Sequence, residues 1–173
     1  VPASLLAGVT THITTDVAPL PLFWVVPLAA YLLSFVIVFA PGVRPVSWPV
    51  FVGMPVAYAV LLPVLLHGGT ASIPIQLVVH LSTFFITCLV FHGMLASTRP
   101  PAGRLTTFYL TLAAGGAAGG LFNGIAAPCL FSDIIEYSLM LVVAALLFPA
   151  SRLRSEERTF PRAVFISAGL TIV

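Results

Sequence analysis

Residues 17–40, 48–66, 73–95 and 105–131 contain no Asp, Glu, Lys or Arg. A helix needs ~20 predominantly apolar residues to cross the ~30 Å of bilayer hydrocarbon. These runs are long enough, and Pro, Gly, Ser and Arg separate them. A fifth run covers 134–150 with Glu136 near its start, and a sixth begins at 163 and reaches 173. Backbone groups in hydrocarbon must be satisfied internally, so the runs are expected to be helices. None shows the alternation of an outer-membrane strand. The composition agrees. Only 7% of the 173 residues are charged, against roughly 25% in soluble domains.

The fold expected is therefore all-α. It is a polytopic transmembrane helix bundle forming one domain over 1–173, with five full spans and partial helices at both ends. The spans are placed at about 17–40, 48–66, 73–95, 105–131, 134–150 and 163–173. Residues 4–15 read as the tail of an earlier helix or as a short broken one. The chain opens without Met, partway into an apolar stretch, and reads as a piece of a longer polypeptide.

The basic residues set the orientation. All are Arg: Arg44, Arg99, Arg104, Arg152, Arg154, Arg158 and Arg162. If the runs alternate, every one falls on the same side, in the loops 41–47, 96–104 and 151–162. The positive-inside rule makes that side cytoplasmic. The opposite side carries Asp16, His67, Asp133 and Glu136 and no Arg. The small net charge of +2 gives no reason to expect a nucleic-acid partner.

Polar residues within the runs are the candidate functional groups, because such residues are costly in lipid and turn inward. Gln76, His80, Thr83 and Thr87 recur at helical spacing and share one face of the third span. His80 lies ~10 Å below the outer end of its helix at ~1.5 Å per residue. By depth, His12, Asp16, Gln76, His80, Asn123 and Glu136 gather toward the Arg-free side. That group holds imidazoles and carboxylates without a basic residue, which favours a small cationic ligand. The alternative is structural. Intramembrane His, Asn and Gln tie helices together, and Glu136 complements a helix N-terminus.

Gly115, Gly116, Gly119, Gly120 and Gly124 repeat at four-residue spacing and are expected to admit close helix packing. Pro27, Pro55 and Pro63 lie inside runs and permit kinks. Cys88 and Cys129 fall at different depths and read as buried packing residues. His80 and His92 are ~18 Å apart along one helix and cannot share a metal ion. No hydrolytic, nucleotide or haem-attachment motif is present, and no cofactor or metal is expected.

Several linked blocks resemble one family. They are residues 1–35, including Thr11-His12-Ile13-Thr14-Thr15-Asp16, then Phe91-His92-Gly93-Met94-Leu95 with Arg99-Pro100. Residues 105–110, Gly115-Gly116, Gly119-Gly120-Leu121-Phe122-Asn123, Ala127-Pro128 and Glu136-Tyr137 follow in order. Together they resemble the membrane region of bacterial spermidine-synthase-like proteins, in which a transporter-like helix bundle is fused to a soluble aminopropyltransferase-like domain. Relatives often carry Cys before this His and Glu after the Gly. Here Phe91 and Met94 stand in those places.

The resemblance implies a multi-pass protein of the bacterial inner membrane. It implies a domain without catalytic residues of its own, binding or moving a small cation such as a polyamine. A different class of role is an accessory structural subunit of a photosynthetic or respiratory membrane complex. The partners expected are the lipid bilayer, other membrane subunits and a small cationic ligand.

The orientation is checked by cysteine labelling in a background lacking Cys88 and Cys129. In intact cells a membrane-impermeant maleimide should label a cysteine at Ser132 and leave one at Ser47 unlabelled. The reverse pattern contradicts the assignment.

Overall fold

The computed structural model describes residues 1–17, 23–40, 42, 48–67, 71–130 and 136–148. All regular structure there is helical, with no strand among the described residues. The helices are α1 (Pro2–His12), α2 (Val25–Phe39), α3 (Trp48–Leu66), α4 (Ile73–Ser97), α5 (Leu105–Leu121), α6 (Ala127–Leu130) and α7 (Glu136–Leu146). Two π-helical turns interrupt them, Ile13–Val17 after α1 and Phe122–Ala126 after α5.

Three helical segments are long and apolar enough to cross a membrane: Trp48–Leu66, Ile73–Ser97 and Ala102–Ala126. The last combines the 3-10 turn Ala102–Arg104, α5 and the second π turn. The first and fifth expected spans correspond to shorter apolar helices, Val25–Phe39 and Glu136–Leu146. The span at 163–173 and the loops holding Arg44, Asp133 and Arg152 to Arg162 lie outside the described residues. Large apolar side chains on the outside, such as Leu110 and Val78, suit lipid contact.

The element that organises the bundle is α1. Its small and apolar residues Ser4, Leu5, Gly8 and Val9 are buried. It touches α2, α4, α5 and α7, and so runs through the middle of the described bundle. Val1 lies with His92 at one cleft, and the His12 ring meets His80. α1 is therefore antiparallel to α4. The end of the bundle near His12 is called the upper end here, and the end near Arg99 and Arg104 the lower end.

Two close approaches seat α1. At Gly8 a Cβ would lie 3.0 Å from Tyr137 Cα, so α7 meets α1 where α1 has no side chain. At Gly119 a Cβ would lie 3.2 Å from Ser4 N and 3.3 Å from Ala3 Cβ. Small residues let helix backbones approach in this way. The other candidate packing glycines differ. A Cβ at Gly115, Gly116, Gly120 or Gly124 meets nothing within 4 Å among the described residues. α5 has no buried residue, so it leans on α1 along one line, and most of its glycine surface stays open.

The prolines also divide. Pro55 and Pro63 lie inside α3 and each removes a helical hydrogen bond. Pro27 sits in the first turn of α2, where the N–H has no helical partner to lose. Cys88 is buried as expected, whereas Cys129 is exposed. α6 is a single short turn just beyond the second π turn, which turns Cys129 outward.

Gly8→Ala should destabilise the bundle by about 1–3 kcal/mol, because the new methyl meets backbone that cannot move aside. Gly124→Ala should change stability by less than ~0.5 kcal/mol. Thermal or denaturant unfolding in detergent checks the pair.

Candidate functional site

The polar residues expected at the upper end separate into two places. The first is a buried aromatic and imidazole cluster. His80 Nδ1 is joined to Tyr137 Oη by a 2.9 Å hydrogen bond, with both residues 1% exposed. The His12 ring lies 4.6 Å from the His80 ring and stacks on Tyr137 at 5.2 Å, centroid to centroid. Three helices meet here: α1 supplies His12, α4 supplies His80 and α7 supplies Tyr137. Gly8, one turn below His12, lets Tyr137 come close enough.

Below His80 the polar face of α4 continues into the bundle. Thr83 and Thr87 are buried. The Thr83 hydroxyl lies 3.4 Å from the Ala57 carbonyl of α3. Thr87 donates to the Thr83 carbonyl at 2.7 Å, and Tyr58 Oη lies 3.4 Å from its oxygen. Gln76 stands apart at the top of α4, where its amide donates to the Ala71 carbonyl at 2.8 Å.

The second place is an open cleft of about 590 Å³ between α1, α2, α5 and the start of α7. Its polar lining includes Thr10, Thr11, Tyr31, Asn123 and Glu136. Gly116, Gly120 and Gly124 form part of one wall. Their missing side chains are what make room there.

Asn123 is the best-defined polar group of this cleft. It is 9% exposed. Its Nδ2 donates to Ser4 Oγ and to the Gly119 carbonyl, the latter at 3.1 Å. That fixes the amide orientation, since a carbonyl can only accept. The other amide atom, Oδ1, is buried and has no hydrogen-bond partner among the described residues. A buried acceptor without a donor costs ~1–3 kcal/mol. The second π turn, Phe122–Ala126, contains Asn123 and places its amide against α1. Such turns recur at functional positions in helices.

The hydrogen bonds give the cleft a sign. Thr10 donates its only hydroxyl proton to the Leu6 carbonyl at 2.6 Å, so its oxygen can only accept. Asn123 Oδ1 and a Glu136 carboxylate are acceptors as well. Among the described residues no Arg or Lys lines the cleft. Thr11 and Tyr31 add hydroxyls that can donate as well as accept.

Asp16 belongs to the first π turn, one turn beyond His12, and its side chain lies outside the described residues. Among the described residues no group of three or more His, Cys, Asp or Glu could hold a metal ion.

His92 forms a separate cluster nearer the lower end. The Ser34 hydroxyl donates to the Tyr31 carbonyl at 2.6 Å, so its oxygen accepts from His92 Nδ1 at 2.8 Å. Phe35 stacks on His92 with ring centroids 3.7 Å apart.

Tyr137, Ser4 and Ser34 were not legible as partners. Each is a common residue in an apolar run, and only the meeting of distant helices gives it a role. No protein-family model, curated protein or solved structure matches this chain.

Tyr137→Phe removes one hydrogen bond from a buried imidazole and should cost about 1 kcal/mol of stability. Combined with His80→Phe, it should cost less than the sum of the single changes. Additive effects in unfolding measurements would contradict a direct bond.

Proposed function

We propose that this is a non-catalytic membrane domain that binds or moves a small organic cation carrying ammonium groups. The observation that carries the reading is the Glu136 carboxylate in a cleft whose described lining holds no basic side chain. The Thr10 oxygen adds an acceptor to the same lining, and Thr11 and Tyr31 add hydroxyls whose oxygens can accept. An ammonium group offers several donors and no acceptor. It would offset the Glu136 charge, which is costly to hold unpaired at membrane depth. The resemblance to spermidine-synthase-like membrane regions points to a polyamine as the cation. The arginines, in this reading, face the cytoplasm of a bacterial inner membrane, and the cleft opens toward the other side.

The His12–His80–Tyr137 cluster has a supporting part. It holds α1, α4 and α7 together and so fixes the start of α7, where Glu136 stands.

A second reading has its own observation. α5 presents Ala113, Ala114, Gly115, Ala117 and Ala118 on its outside and has no buried residue. Small-residue surfaces of this kind suit packing against another membrane helix. In that role the chain is an accessory subunit of a larger complex. A stoichiometric partner that survives purification would favour it.

Spermidine binding to the purified protein in lipid nanodiscs tests the first reading. Asp16→Asn combined with Glu136→Gln should weaken binding by roughly tenfold or more, equivalent to ~1.4 kcal/mol. Equal binding by the variant and the parent protein would sink the cation reading.

A further inference from the structure

The cleft just described adjoins another. A second cleft of about 410 Å³ continues from it toward the lower end. The two share Ala3, Tyr31 and Gly116. α1 forms the floor of both, with α2 on one side and α5 on the other. Along α5 the combined groove reaches from Phe108 to Gly124. At ~1.5 Å per residue that is about 24 Å, most of the ~30 Å hydrocarbon thickness.

The halves differ in chemistry. The upper half holds Thr10, Thr11, Asn123 and Glu136. The lower half is walled by Phe35, Phe91, Leu95, Phe108 and Leu112. Its polar side chains are few, and His92 is already held by Ser34 through Nδ1. A chain of several ammonium groups would fit the upper half only. Laid along the whole groove, it would place a charge against apolar walls with no counter-charge, which is costly.

We propose that the groove takes a single-chain cationic amphiphile, a long-chain alkylamine. Its ammonium group sits against Glu136 in the upper half, and its alkyl chain passes Tyr31 and Gly116 into the lower half. The inference rests on the cation reading above and narrows its ligand class. Charge complementarity fixes the head, and the apolar walls fix the tail. Gly116 is the neck. A Cβ there meets nothing within 4 Å, so a larger side chain is accommodated by the helix and projects into the groove.

The test uses the purified chain in nanodiscs and a dodecylamine carrying a diazirine at the tail end. Protein-free nanodiscs give the correction for partitioning. Irradiation followed by peptide mapping should place saturable label on the segments around Phe91–Leu95 and Phe108–Leu112. Gly116→Leu should reduce that label roughly tenfold or more, a ~1.4 kcal/mol effect. A dodecanol probe with the same diazirine should label weakly and without saturation.

Three results overturn the proposal. They are non-saturable label spread over all lipid-facing helices, equal label with dodecanol, and label unchanged by Gly116→Leu. If spermidine still binds in a Glu136-dependent manner in any of these cases, the amphiphile is wrong and the cation reading stands. If neither amine binds, both fall.

Discussion

Hydrocarbon offers a peptide group no hydrogen-bond partner, so each span closes its own backbone bonds, and the helices meet through what little else they carry. In this chain the meeting place is α1. It is short, rich in small residues and touched by four other helices. Two contacts depend on its smallness. Tyr137 reaches the α1 backbone at Gly8, and Gly119 rests against Ala3 and Ser4. Burying apolar area gains little when the alternative solvent is also apolar, so close packing and a few polar bonds must hold the bundle. Both kinds of contact converge on α1.

The same arrangement makes the groove. α2 and α5 both lean on α1, and the glycines of α5 leave a channel between them. The polar atoms at its upper end owe their state to helix packing. The Asn123 amide spends its donors on Ser4 and Gly119, and its buried Oδ1 has no partner among the described residues. Thr10 spends its proton on the helix carbonyl behind it. Among the described lining residues the charge of the cleft comes from Glu136.

Much of the architecture is legible in the sequence, because charge-free runs and breakers locate spans directly. Trp48–Leu66 and Ile73–Ser97 agree closely with the runs read from composition. The central place of α1 is not legible. Its eleven residues are too few to read as a span, and nothing in their hydropathy separates a central helix from a frayed end. The glycine repeat on α5 gives the right residues, but their spacing is the same for a packed face and an open one. Among the described residues, Gly119 is the one glycine of this repeat that meets a neighbour closely. The depth argument places His12, His80, Asn123 and Glu136 at one end. It cannot sort them between a buried cluster and a cleft, because that depends on Tyr137 and Ser4, whose partners are distant in the chain.

The central claim is that α1 lies against α5 along the floor of the groove. A cysteine pair tests it most directly. A Cβ at Gly119 would lie 3.3 Å from Ala3 Cβ, near the ~3.8 Å typical of a disulfide. In a background without Cys88 and Cys129, Ala3→Cys with Gly119→Cys should oxidise to an intrachain disulfide in the membrane. Ala3→Cys paired with a cysteine at lipid-facing Leu110 should not. Failure of the first pair to form, or equal formation by both, would contradict the account.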